Sequence, residues 1–233
     1  MDKRPHKSRA TAGNRQRTEA PPTRGERKQR TRHALIQAAL SLMAENRSFT
    51  SLSLREVARE AGVVPNAFYR HFSGLDALGL ALLDEGGLTL RRLLRQVRET
   101  RLPDREIVRR SVEVYVRYVR ENRPHFLFVI RERAGGSAAI REGIRREVAH
   151  VATEMAADFG SFGVMPNLSS ASRLMMAQIV VQLMLAFAVD ILDLPERRAD
   201  LEAELVERLA RQLVVVFIGA RAWQDSRSTS TKG

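Results

Sequence analysis

Residues 53–72, SLREVAREAGVVPNAFYRHF, constrain the fold of this chain more than any other stretch. Ser53 and Glu56 have the Ser-x-x-Glu spacing of a capping box, in which each side chain satisfies an amide at a helix start. Leu54, Val57, Ala58 and Ala61 recur at helical spacing and form one apolar face. Gly62 stands where that helix must stop, because glycine enters the left-handed region without a steric penalty. Val63 and Val64 carry the chain across a tight turn to Pro65, at a first helical position where its missing N–H costs nothing. The second helix, expected over 65–71, buries Phe68 and Phe72 and turns Asn66, Ala67, Tyr69, Arg70 and His71 outward. Two short helices joined by a glycine turn, the second bearing amide, phenol, guanidinium and imidazole groups, read as a helix-turn-helix.

The flanking segments are helical too. From about Arg27 to Asn46, Leu35, Ala39, Leu42 and Met43 mark a helix that packs beneath the motif. The polar connection Arg47–Leu52 places Thr50 and Ser51 near the start at Ser53, where helix-terminal amides favour a DNA phosphate. A long helix is expected over 75–99, apolar from Leu75 to Leu83 against the motif and from Leu90 to Val97 toward another core. Gly86-Gly87 separates the halves. Each glycine costs about 1 kcal/mol relative to alanine in a helix, so the pair implies a kink, a close crossing or a ligand-sensitive bend.

A helix over about 105–121 follows, with Ile107, Val108, Val112, Tyr115 and Val119 inward. Arg123-Pro124 restarts the chain into HFLFVIRER, where the apolar run Phe126–Ile130 leaves no face for solvent. Gly135-Gly136 ends it, and Ser137 caps a helix striped by Ile140, Ile144, Val148, Val151 and Met155. After a loop over 160–170, two helices are expected at 170–193 and 196–223. The first is apolar almost all round; the second alternates Leu201, Leu205, Leu209, Leu213, Val216 and Phe217 with charges. Asp190 and Asp193 are expected to cap a helix or to pair with Arg197 or Arg198. No segment keeps a strand period, so the fold class is all-α.

Charge and composition narrow the function. Residues 1–32 hold eleven Lys and Arg against three Asp and Glu, which leaves only +4 of the net +12 to the remainder. A basic arm on a near-neutral body points to nucleic acid or an anionic membrane. Residues 1–26, rich in Pro, Gly and Thr, are expected to be disordered: either a solvated tail or an arm that reaches phosphates or a minor groove. Arg27, Lys28, Arg30 and Arg32 lie nearer the folded body and are better placed for that. Cysteine is absent, which excludes disulfides and thiolate metal sites. His6, His33, His71, His125 and His150 have no metal-ligand spacing, and no phosphate loop, nucleophile elbow or carboxylate pair appears. The expectation is therefore neither an enzyme nor a metal- or cofactor-binding protein. With no apolar signal at its start, and with Gln178 and Gln182 interrupting Met175–Val189, it is expected to be cytoplasmic and to span no membrane.

The pattern Leu-x-x-Val-Ala-x-x-Ala-Gly-Val, then Phe-Tyr-Arg-His-Phe, resembles the DNA-binding segment of the TetR family of transcriptional regulators, and TRHALIQAALSLMAE resembles that family's first helix. SLSLREVAREAG, FYRHF, LDALGLALLDEGGL, RERAGGSAAIREGIRREV and GARAW are similar to its fatty-acid branch, the FabR and DesT regulators of unsaturated fatty-acid synthesis. The likeness spans roughly residues 27–223. It implies a three-helix DNA-binding domain over 27–73 and a helical effector-binding and dimerisation domain over 74–223, with 224–233 a disordered tail. It further implies a homodimer paired through the last two helices, on a near-palindromic duplex operator.

Within that frame the residues divide by role. Asn66 suits a bidentate contact to adenine and Ala67 a thymine methyl, while Arg55 and Arg70 suit phosphate or guanine. The resemblance places Tyr69 and His71 on backbone phosphates, and Arg32, Thr50 and Ser53 complete the expected DNA-contacting set. Two departures from the family pattern stand out: Ser73 and Gly74 replace a common lysine, and Val64 stands where serine or threonine often caps the recognition helix. Phe126, Phe128, Val129, Met155, Ile179, Leu183 and Phe187 are expected either to line a long apolar cavity or to be ordinary core. The resemblance implies a long-chain acyl-CoA or acyl-carrier-protein effector, its phosphates met by Arg131, Arg133 and Arg141; the alternative is an internal ion-pair cluster around Glu132. A drug-efflux regulator with a different hydrophobic effector, and a lipid carrier acting at a membrane surface, are the competing readings.

Overall fold

The computed structural model describes residues 23–44, 47–100, 104–162 and 167–223. The arm over 1–22 and the tail over 224–233 lie outside the described residues. Those that are described form helices joined by short turns, with no strand among them. The helices are α1 (Arg24–Ala44), α2 (Leu54–Glu60), α3 (Pro65–Phe68), α4 (Leu75–Arg98), α5 (Asp104–Glu121), α6 (Arg123–Gly135), α7 (Ala138–Ser161), α8 (Ser170–Leu192) and α9 (Ala199–Ala222).

Helix α1 starts three residues before the expected Arg27. Thr23 Oγ1 accepts from the Glu26 amide at 3.2 Å and the Thr23 amide donates to Glu26 Oε2 at 2.6 Å. This Thr-x-x-Glu capping box turns the end of the supposed arm into a first helical turn. Helix α2 begins with the expected box at Ser53 and Glu56. It ends at Gly62, whose φ of 68° lets the Val63 amide reach back to the Ala58 carbonyl at 2.9 Å. Helix α3 is shorter than expected. Beyond Phe68 the amides of Arg70 and His71 bond three residues back, a tighter turn that swings Phe72 under α1. Helix α9 begins at Ala199 rather than 196, after Arg197 at a φ of 60°.

Two apolar cores result. One joins α1, the Phe49–Ser51 turn, α2, α3 and the first half of α4; the other joins the second half of α4 with α5, α7, α8 and α9. Helix α6 serves both, which explains how its five-residue apolar run is enclosed: Phe128 enters the first core and Phe126 the second. Ile140 and Ile144 of α7 also close the first core. Ser137 Oγ donates to Asp76 Oδ1 at 2.8 Å, and His33 Nδ1 lies 3.0 Å from Glu85 Oε1, so α7 and α1 are both tied to α4.

Candidate DNA interface and internal cavities

Around α3 the exposed residues are Val64, Pro65, Asn66, Tyr69 and Arg70, with Ala67 half-buried between them. Tyr69 is 62 % exposed and Val64 69 %, although Phe68 beside them is fully buried. A short helix anchored by one inward phenylalanine thus presents an amide, a phenol and an isopropyl group outward. In the sequence Val64 stands out only as an absent cap. It has no side-chain cap bond, as anticipated, but its exposure makes it a further apolar contact on the same face. Arg55, Thr50 and Ser53 are exposed on the adjoining turn. The capping box occupies the Ser53 and Glu56 amides, so that helix start offers a phosphate less than expected. Hydrogen bonds from Ser53, then Arg47, hold the Glu56 carboxyl down to about 2.

Arg32 and His71 form a second, partly buried group. The Arg32 guanidinium carbon stacks 4.7 Å from the centre of the Phe72 ring, and Nη1 of Arg32 and Nδ1 of His71 are buried without a hydrogen-bond partner. Burial lowers the pKa of His71, and the charges of Lys28, Arg32 and Arg70 lower it further. Four basic groups from α1 and the end of α3 therefore converge, two of them with a buried nitrogen left unpaired. Such a group favours an anion.

Two part-open cavities border the second core. The outer one, of about 170 Å³, is walled by α4, α5, α7, α8 and α9, with Met155, Phe159, Phe187 and Phe217 among its lining. Among the described residues that line it, the charged ones are Arg105 and Arg221, both exposed at the solvent end. The second, of about 110 Å³, is as open as the first and is termed inner because it lies on the α4–α6 side of the residues the two share; it lies against Gly86, Gly87, His125, Phe126 and Val129. Helix α4 runs unbroken through the glycine pair, so the geometry is that of a close crossing. A β-carbon on Gly86 would coincide with the His125 ring and one on Gly87 with the Glu147 carboxylate, which pairs with Arg91. Tyr118 donates a 2.9 Å hydrogen bond to the Gly86 carbonyl. Burial pushes the His125 pKa down to about 4, so the ring is neutral near pH 7.

Of the residues expected around an effector, Met155 and Phe187 line the outer cavity, and Phe126 and Val129 the inner one. Phe128 is in the other core, in edge contact with Phe49 at 5.0 Å. Ile179 is 41 % exposed on the outside of α8, and Leu183 packs half-buried on the core without lining either cavity. Arg131 and Arg133 border neither; Arg133 donates to Gln182 Oε1 at 3.3 Å, and Glu132 is buried with Oε2 unpaired. Gln178 and Gln182, which interrupt the apolar run of α8, are exposed. Asp190 pairs with Arg208 of α9 at 2.7 Å instead of with Arg197 or Arg198. Tyr115, Met184, Phe217, Arg105 and Arg221 were missed. Tyr115, Met184 and Phe217 have the spacing of ordinary core, Arg105 and Arg221 carry no signal in the sequence, and only the packing of five helices shows that all line one void.

The chain matches two family models. Residues 35–82 match that of the bacterial regulatory proteins of the tetR family, and residues 104–227 match the tetracyclin repressor-like C-terminal domain. Solved structures agree in fold. A protein assigned to the TetR family from Syntrophomonas wolfei superposes with a TM-score of 0.66 at 15 % identity, over 82 % of this chain and 96 % of that one. The fatty acid degradation regulator FadR of Bacillus halodurans gives 0.62 at 15 %, over 79 % and 94 %. A tetR-family regulator of Streptomyces coelicolor gives 0.58 at 22 %, over 84 % and 90 %.

Proposed function

The chain belongs to the TetR family of DNA-binding transcriptional regulators, and from that premise we propose that it is a homodimeric repressor of fatty-acid synthesis or desaturation genes whose operator affinity responds to a long-chain acyl thioester. Asn66 and Ala67 read bases, with Val64 adding an apolar contact. Tyr69, Arg70, His71 and Arg32 hold phosphates, and Arg55, Thr50 and Ser53 flank them. Two copies set their α3 helices about 34–36 Å apart in successive major grooves of a near-palindromic site.

The observation that carries the effector reading is the make-up of the outer cavity: apolar walls with Arg105 and Arg221 at the exposed end. An acyl chain suits the interior and an anionic head suits the guanidinium end. Arg105 and Arg221 replace Arg131, Arg133 and Arg141 as the residues proposed to meet the phosphates. A cationic drug would call for acids, and none lines this cavity among the described residues; Glu147, in the inner one, is paired with Arg91. That favours the acyl reading over efflux regulation. The Bacillus halodurans protein of similar fold is a regulator of fatty acid degradation, which accords with an acyl effector though not with the genes proposed here.

Helix α8 is long and apolar enough to cross a membrane. Its exposed Ile179 and Val189, with exposed Val215, Ile218 and Trp223 around α9, instead suit a second copy of the chain, forming a four-helix bundle. The test is a gel-shift assay on DNA upstream of the protein's own gene and of nearby lipid-synthesis genes, with saturated and unsaturated acyl-CoA. A specific, acyl-sensitive shift supports the proposal. Vesicle binding without a specific shift would support the lipid-carrier reading.

A further inference from the structure

Leu94, Tyr115 and Met184 line both cavities, so these three side chains form the partition between them. The Tyr115 hydroxyl donates to the Met184 carbonyl at 2.7 Å, which fixes the ring at the partition. Arg105 and Arg221 of the outer chamber are exposed, whereas Leu94 and Tyr115, which it shares with the inner one, are buried. From Arg105 to Tyr115, α5 rises about 15 Å. Beyond the partition lies His125, set against Gly86 so closely that no larger residue fits at that point of α4.

We infer that the two chambers form one elongated site in which the outer chamber binds and the inner one reads ligand length. A chain that passes Tyr115 and Met184 displaces the His125 ring from its seat on Gly86 and so acts on α4. One that stops short binds without consequence. The inference rests on the acyl reading above. Its support is the contrast in fastening at the end of the site: Arg91 is tied to Glu147 and Glu154, whereas the His125 side chain makes no hydrogen bond or ion pair among the described residues. A ring held by packing alone is the easiest group there to move. Helix α4 then carries the displacement into the first core, to which Leu78, Leu82 and Leu83 belong. A ligand shifts such an equilibrium only through contacts that differ between the two states, and the inner chamber supplies them.

The test uses the full-length protein, octanoyl-CoA to stearoyl-CoA, calorimetry to establish saturation, and operator affinity at saturation. In the wild type every length that binds should saturate the protein, but only the longer chains should change operator affinity, by about tenfold. Tyr115→Phe, which frees the ring from Met184, should move that threshold to shorter chains. His125→Ala, and the double variant Gly86→Ala/His125→Ala that refills the vacated seat, should bring the long-chain response below about twofold. Equal responses at all binding lengths, or full responses in both His125 variants, would overturn the inference and leave the acyl reading standing. Failure of any acyl-CoA to bind would remove both.

Discussion

Phe126 and Phe128, two residues apart on α6, belong to different cores: Phe126 lies edge-on to Tyr115 and Tyr118 in the second core, and Phe128 edge-on to Phe49 in the first, beneath the DNA-binding helices. One turn of helix therefore touches both ends of the molecule. Phe128 is 1 % exposed, and Phe128→Ala should cost about 3–5 kcal/mol. Hydrogen exchange locates the damage: protection should fall in α1 and the first half of α4 before it falls in α8 or α9. Uniform loss would show that the cores do not unfold separately.

Tyr69 is exposed and carries little of the fold. Tyr69→Ala should therefore weaken operator binding about tenfold while the thermal midpoint stays within a degree or two. Asn66→Ala should instead relax preference at one base pair, by about 1–3 kcal/mol of discrimination in a binding-site selection. Unchanged operator affinity in Tyr69→Ala would remove the central residue of the interface.

The pKa of His71 is lowered by burial and by Lys28, Arg32 and Arg70. A phosphate at that cluster neutralises the repulsion and raises the pKa in the complex, so binding takes up a proton. Operator affinity should then rise as pH falls from above the bound pKa toward the free one. Anisotropy titrations at pH 8 and pH 6 should show tighter binding at pH 6, and His71→Gln should lose that difference.

For His125 the linkage acts on folding. Its folded pKa, about 4, lies below the unfolded value of 6.5, so the unfolded chain binds the proton more readily. Stability is intact above about pH 6.5 and falls as the pH drops toward 4, by about 3 kcal/mol in all. Urea unfolding at pH 7 and pH 4.5 should show a smaller loss in His125→Gln than in the wild type. Equal losses would place the ring in a more solvated setting.

What could be read from the chain was local. The Ser53–Glu56 box, Gly62 and Pro65 act within a few residues, and each appears where the residue type requires it. The box at Thr23 and Glu26 had the same signature but stood in a basic stretch with no apolar period to suggest a helix. Helices without a polar side defeat periodicity altogether. On α8 nothing in the sequence separates exposed Ile179 from buried Val180, and on α6 nothing separates the destinations of Phe126 and Phe128. Arg105 and Arg221, on α5 and α9, become one feature only when those helices pack together.

A ligand in the core that acts on α4, as proposed, resets the spacing of the two DNA-reading helices, and a distance measures that most directly. The chain has no cysteine, so Gln37→Cys on the exposed side of α1 gives a single spin-label site per protomer. Electron–electron distance measurements should show one defined inter-protomer distance without ligand and a shift of several ångströms at saturating stearoyl-CoA. No inter-protomer distance, or the same distribution with and without bound ligand, would contradict it.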